Sequence, residues 1–367
     1  MPADHPPFSA LSMKDIAALR QAILDWYDAH RRDLPWRARH HEEPDPYRVW
    51  LSEVMLQQTT VATVRSRYAR FLERWPTVND LAEASLDEVL HEWQGLGYYA
   101  RARNLHKCAQ AVAAAHGGEF PASFAALRAL PGVGEYTAAA VAAIAFGLPG
   151  APVDANVERV VARVAAVTEP LPKAKPVIRQ AAALLESPER PGDWAQALMD
   201  LGAAMCAPRA PECLICPARA WCKAHATGVA EILPRKAPKK ARPLRRGTVY
   251  WLERPDGAVA LRQRAAKGML GGLWEFPSAG WDTKTASSSD PAIAALAENW
   301  RTQNISVRHG FTHFEVELTV MRGTWTGDVP PPGSVWARPN QFAQYALPTL
   351  MKKVAEAVAS LGGPDRT

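Results

Sequence analysis

The chain has 367 residues, 48% hydrophobic and 22% charged, enough for two or three domains that each bury a core. Lys and Arg number 43 against 37 Asp and Glu, a formal net charge of +6, which favours a polyanionic partner without identifying one. No apolar run approaches the roughly 18 residues of a membrane span, and Met1 to Ser9 is Pro-rich without the apolar core of a signal peptide, so the chain reads as intracellular.

Taken in order, helical periodicity begins near Met13 with Ile16, Leu19, Ile23, Trp26 and Tyr27. Asp33-Leu34-Pro35-Trp36-Arg37 interrupts it, and Ala38 to Pro46 reads as a polar loop. A second helix is predicted from about Tyr47 to Thr60. Tyr47, Trp50, Leu51 and Val54 share its stripe, and Glu53 stands at the edge, where a carboxylate is half-buried or simply solvated. Further helices are predicted over 61–74, 85–94, 100–116, 123–130, 135–147, 155–166, 174–186 and 193–205. Short Pro- or Gly-marked connections between them indicate an all-α region of packed helices.

Within that region Leu130-Pro131-Gly132-Val133-Gly134 makes a tight Gly-rich turn that opens a helix. Helix-opening amides of this kind bind a phosphate without a side chain, although Pro-Gly turns before helices are commonly structural. Asp154 and Asn156 stand at the head of the next helix. Either one caps it, and if Asn156 does, Asp154 is free to face a pocket.

The chain has five cysteines, and four fall in 17 residues as Cys206-x6-Cys213-x2-Cys216-x5-Cys222. This is a metal framework rather than a disulfide one. Both zinc and an iron–sulfur cluster accept four thiolates, and the spacing lacks the paired C-x2-C knuckles of a zinc ribbon. Arg209, Arg219 and Lys223 lie between the cysteines. Cys108 stands apart and reads as core.

From Ile232 to Val249 the chain carries seven Lys or Arg, three prolines and no acid, a basic linker placed at 233–247. After it the period becomes two. Thr248 to Leu252 and Ala258 to Gln263 flank Pro255-Asp256-Gly257 as a hairpin, and Phe314 to Val320 alternates. With helices predicted near 291–301 and 348–361, residues 248–367 read as an α+β domain after an all-α region over 1–232.

The cysteine spacing, the Leu-Pro-Gly-Val-Gly turn and the aspartate that follows it resemble the helix–hairpin–helix DNA glycosylases with an iron–sulfur cluster. Trp50 to Thr59 resembles the catalytic-acid helix of the MutY-type adenine glycosylases, Gly95 to Arg101 their wedge loop, and Trp194 to Gly202 their approach to the cluster. More loosely, Gly272 to Pro277 and Phe311-Thr312-His313 resemble their Nudix-like C-terminal domain. The resemblance implies a six-helix barrel with a helix–hairpin–helix and a [4Fe-4S] cluster on Cys206, Cys213, Cys216 and Cys222. It implies excision of adenine opposite 8-oxoguanine or guanine in double-stranded DNA by a monomer, in a bacterium at the nucleoid.

By the same resemblance Glu53 protonates the base and Asp154 stabilises the sugar cation, with Tyr136 and Asn156 supporting Asp154 and the nucleophile. Trp36, Arg37 and Gln196 line the adenine pocket. Gln58, with Thr59 beside it, and Tyr98 insert into the helix, Gly132 and Gly134 grip phosphate, and Phe311, Thr312 and His313 read 8-oxoguanine. Thr312 replaces the family's more usual Ser, keeping a hydroxyl and adding a methyl. The acidic Nudix hydrolase signature is absent between Gly268 and Trp300, so pyrophosphatase activity is not expected. The alternative on the same scaffold is a bifunctional lyase for oxidised pyrimidines. Lyase relatives carry a Schiff-base lysine where this chain has Tyr136, and tyrosine cannot form one.

Overall fold

A computed structural model of the chain describes residues 11–39, 42–238, 241–282, 293, 299–325, 327 and 330–361. It divides into two compact units, one formed by 1–83 with 104–239, the other by 84–103 with 240–367. The short stretch 84–103 thus groups with the C-terminal part of the chain rather than with the helices that flank it in sequence.

The first unit is helical. Its elements are α1 (Met13–His30), α2 (Pro46–Leu56), α3 (Val61–Arg74) and α4 (Val78–Glu83), most of α6 (Ala100–His116), then α7 (Phe124–Ala129), α8 (Glu135–Phe146), α9 (Ala155–Val164), α10 (Lys175–Leu184), α11 (Pro191–Ala204) and α12 (Lys223–Ala226). α5 (Leu86–Glu92) belongs to the second unit. The helix starts are encoded locally. Ser12 and Asp15 form a capping box on α1, and Asp45 accepts from the amides of Tyr47 and Arg48 ahead of Pro46 on α2. α4 is an addition to the predicted set; six residues are too few to show a helical period.

One core joins Leu19 and Ile23 of α1 to Val157 and Val161 of α9, Ile178 of α10, and Leu198 and Leu201 of α11. α8 is buried on nearly every side, Thr137 to Ala143 all lying inside. Its alanines let α2, α7 and α11 approach it. Gly202 does the same for α11 and α9, since a Cβ there would stand 2.6 Å from the Cβ of Asn156.

The second unit carries a mixed sheet. Its path runs β3 (Trp274–Glu275), β2 (Val259–Gln263), β1 (Leu244–Glu253), β6 (Glu315–Thr324), β5 (Arg301–Gly310), with β4 (Ser278–Ala279) on β1 and β7 (Ser334–Ala337) on β2. β1 and β6 pair in parallel over ten residues, Leu244 with Glu315 through Glu253 with Thr324; the other described pairings are antiparallel. Val316, Leu318 and Val320 point inward, as their alternation predicts, and pack with Trp251, Phe276, and Met351 and Val354 of α13 (Thr349–Ala359).

β1 begins inside the basic stretch. Leu244 to Gly247 are strand residues, stabilised by Arg246 against Glu317 at 3.2 Å and Arg245 over the Phe314 ring at 3.8 Å. The helix predicted near 291–301 lies mostly outside the described residues, and Arg301 is already in β5.

Candidate active site

Glu53 is the first fixed point. It lies on α2, one turn after Val49 and Trp50, with a relative exposure of 6%. The half-buried edge position read from the helix stripe is therefore fully inside. Burial in this apolar wall pushes its carboxyl up to about 7, from 4.5. The Tyr136 hydroxyl donates to Oε2 at 2.7 Å and works the other way; the charge of Asp154 raises the value further, and that of Arg37 lowers it. Sequence reasoning attaches Tyr136 to Asp154; the structure gives its hydroxyl to Glu53.

Asp154 caps α9 and also belongs to this group. Its Oδ1 accepts from the amides of Asn156 at 2.9 Å and Val157 at 2.7 Å, while the Asn156 side-chain amide donates to Oδ2 at 2.9 Å. The cap is thus Asp154, with Asn156 as its support, and capping does not take the carboxylate away from Glu53. Burial raises the Asp154 carboxyl, and these three donors together with Arg159 oppose the rise. Arg159 continues the chain of contacts. It donates to Asn156 Oδ1 at 2.9 Å and to the carbonyl of Cys206 at 2.6 Å.

Glu53 lines a small cleft whose walls include Trp36, Arg37 and Gln196, the three residues assigned to it from sequence. Arg32, Ile144 and Met199 also line those walls and are not singled out by the sequence. Arg32 was hidden in an unremarkable Arg-Arg-Asp run. Both arginines are held by Asp200, a residue that sequence reading quotes only as part of a longer motif.

The proposed DNA-facing residues sit at turns. Gly132 has φ +73°, and a Cβ there would meet Asn104 at 2.5 Å, so the turn needs glycine. Gly134 caps α8 without a side-chain bond, which leaves the first amides of that 12-residue helix uncapped by any side chain. α2 ends at Leu56, earlier than its periodicity predicts. Gln58 follows with φ +57°, beside Thr59. Tyr98 also has a left-handed backbone, φ +47°. Both residues assigned to helix insertion thus adopt a region that non-glycine residues seldom occupy.

In the second unit Phe311, Thr312 and His313 form the turn of the β5–β6 hairpin. Phe311 stacks on Trp281 and Phe314, while Thr312 and His313 are exposed. The Tyr98 and Thr312 hydroxyls lie 2.8 Å apart.

The four clustered cysteines line one small cavity with Arg163 and Arg219. Arg163, itself 1% exposed, donates from Nη1 to the Cys206 sulfur at 3.2 Å and to the carbonyl of Ala207 at 2.8 Å. Burial raises the Cys213, Cys216 and Cys222 thiols, Cys216 to about 11, so thiolates here depend on added positive charge. Among the described residues no three His, Cys, Asp or Glu are grouped around a single ion. The thiols ring a cavity instead.

Two family models match the chain: the HhH-GPD superfamily of base excision DNA repair proteins over residues 51–187, and the NUDIX domain over 248–357. The adenine DNA glycosylase of Homo sapiens is 37% identical over 404 residues, covering 93% of this chain and 74% of the relative. That of Rattus norvegicus is 36% identical, covering 93% and 78%. The chain belongs to the adenine DNA glycosylases. Its helical region also superposes on a thermostable thymine-DNA glycosylase, with a TM-score of 0.52 and 31% identity over 58% of this chain and 98% of the other. Glu53 and Tyr136 fall inside the HhH-GPD match; the four cysteines lie beyond its end. No described helix is long and apolar enough to cross a membrane.

Proposed function

We propose that this enzyme removes adenine opposite 8-oxoguanine or guanine in double-stranded DNA and leaves an abasic site without cutting the strand. The observation that carries the reading is the pair of carboxylates, Glu53 buried and Asp154 half-buried, held in unequal surroundings. Cleaving the N-glycosidic bond needs an acid for the leaving base and an anion for the sugar cation. Glu53, protonated up to about pH 7, suits the first role. Asp154, with three hydrogen-bond donors, suits the second.

The target base leaves the stack and enters the cleft beside Trp36, Arg37 and Gln196. Gln196 is chemically suited to the N6/N7 edge of adenine. Glu53 protonates N7 and the base departs with the bonding electrons. Asp154 stabilises the oxocarbenium ion, which water then captures. Tyr136 holds Glu53 by its hydroxyl and offers no amine for a Schiff base, which supports base removal without lyase chemistry. Gln58, Thr59 and Tyr98 enter the duplex, and the amides after Gly132 and Gly134 bind backbone phosphate.

Residues 1–232 carry catalysis in this reading, and 248–367 read the opposite base through Phe311, Thr312 and His313. Cys206, Cys213, Cys216 and Cys222 hold a [4Fe-4S] cluster. Four cysteines lining one cavity supply the all-thiolate donor set that such a cluster takes. When bound, the cluster supplies cross-linking of 206–222 and a firm base for Arg209 and Arg219. The enzyme acts as a monomer where DNA is kept, at the nucleoid in a bacterium.

Single-turnover assays on duplexes with A:8-oxoguanine, A:G and thymine glycol test the function. Adenine release with nicking only after alkali is expected from the first two. Release from thymine glycol, or strand scission without alkali, would assign the site to the lyase branch.

A further inference from the structure

Asp200 lies on α11 with no solvent exposure. Its carboxylate accepts from Arg37 Nη1 at 2.6 Å and Nη2 at 2.7 Å, from Arg32 Nε at 2.5 Å, and from the Arg32 backbone amide at 3.1 Å. That fills roughly the four acceptor positions a carboxylate has. Asp200 does not line the cleft, whereas both arginines do. Burial acts to raise its carboxyl, but the hydrogen bonds and charge of Arg37, with Arg32, hold it below its ordinary value. It is a full anion whose partners border the site.

Stability alone is a poor account of this triad. Well-packed apolar residues often replace buried ion pairs at no loss. Charge in the cleft is a better account. Two guanidiniums border the cavity that Glu53 lines, and the positive charge of Arg37 works against a protonated Glu53. Glu53 also faces Tyr136 from α8 and Asp154 from the head of α9. Arg37 and Asp200 face Tyr27 of α1, which Arg31 and Asp193 face as well. Among the described residues, Asp200 is the acid hydrogen-bonded to Arg32 and Arg37. Its two-pronged contact also fixes the plane of the Arg37 guanidinium.

We propose that Asp200 is a positioning residue: it aims Arg32 and Arg37 along the base cleft and compensates their charge, so that Glu53 keeps its proton until the base is in place. This rests on the reading of Glu53 as the acid.

The test is Asp200→Asn in the full chain, which keeps the volume and removes the charge. The pH profile of single-turnover adenine release should shift its upper midpoint down by about one pH unit, the low end of what a nearby uncompensated opposite charge does. Measured against the variant's own low-pH plateau, release at pH 8 should then fall about tenfold further than in the parent. Asp200→Glu should restore the parent midpoint. If Asp200→Asn lowers only the active fraction and leaves the midpoint in place, the role is structural and the proposal is overturned.

Should that variant not fold, Asp200→Asn is read in an Arg32→Met background, where the midpoint must fall relative to Arg32→Met alone, and an unmoved midpoint overturns the proposal. A second readout needs no DNA: the 13C-carboxyl signal of Glu53, assigned by its loss in Glu53→Gln. A midpoint lowered by Asp200→Asn supports the coupling, and an unmoved one refutes it. A parent protein that releases no adenine, yet whose Glu53 titration follows Asp200, would sink the proposed function and leave the coupling standing.

Discussion

Glu53 should make the folded protein less stable at the pH where the enzyme works. Its carboxyl rises from 4.5 in the unfolded chain to about 7 in the fold. Below pH 4.5 both states are protonated, and the group contributes no difference. Between about 4.5 and 7 the unfolded chain gives up its proton while the fold keeps it, so stability falls as pH rises. Above 7 the whole cost is present. A gap of about 2.5 units at 1.36 kcal/mol each is about 3 kcal/mol. Glu53→Gln removes the titration, keeps an oxygen for the Tyr136 hydroxyl, and preserves volume. The variant should therefore melt close to the parent at pH 4.5 and well above it at pH 8.5. At roughly 2–4 °C per kcal/mol for a unit of this size, the gain is roughly 6–12 °C. Paired melting curves at half-unit intervals from pH 4.5 to 8.5 measure it. Parallel curves for the two proteins, with no widening gap as pH rises, would refute the buried-acid argument. The same variant should bind an A:8-oxoguanine duplex and release no adenine; normal release would place the acid elsewhere.

Adenine release by the parent should hold steady below pH 7 and fall about tenfold per unit above it. Tyr136→Phe, which removes the hydrogen bond that lowers Glu53, should move that break upward; a downward move would contradict the assigned direction. Gly202→Ala should cost about 1–3 kcal/mol in denaturant unfolding and slow base release, since its methyl would overlap Asn156 and push α9 with Asp154. Wild-type stability and rate in that variant would mean the approach of α11 to α9 relaxes freely. Purified protein should carry about four irons with matching sulfide. Stoichiometric zinc without sulfide would remove the cluster.

Local signals carried much of the fold. Ser12 with Asp15, and Pro46 after Asp45, fix helix starts by short-range hydrogen bonds that a sequence displays directly. The alternation at 315–320 does the same for β6. What stayed hidden depends on contacts far apart in the chain. Arg245 and Arg246 resemble linker residues until β6 lies alongside and Glu317 and Phe314 meet them. Asp200 is 163 residues from Arg37, and no spacing rule joins them. The end of α2 is a third case. The predicted helix runs to Thr60, yet α2 ends at Leu56 and Gln58 takes a left-handed φ of +57° that no spacing displays.

Asp154 shows why two readings of one residue need not compete. A capping aspartate needs its oxygens turned toward helix amides, and a cation stabiliser needs to remain ionised inside the protein. The first requirement supplies the second, because the amides of Asn156 and Val157 hydrogen-bond the charged form. Were Asn156 the cap, Asp154 would keep its burial and lose these donors, and its carboxyl would rise toward that of Glu53. Two neutral acids side by side provide a proton and no anion. The helix cap therefore keeps the two carboxylates unlike, and the chemistry requires that they differ.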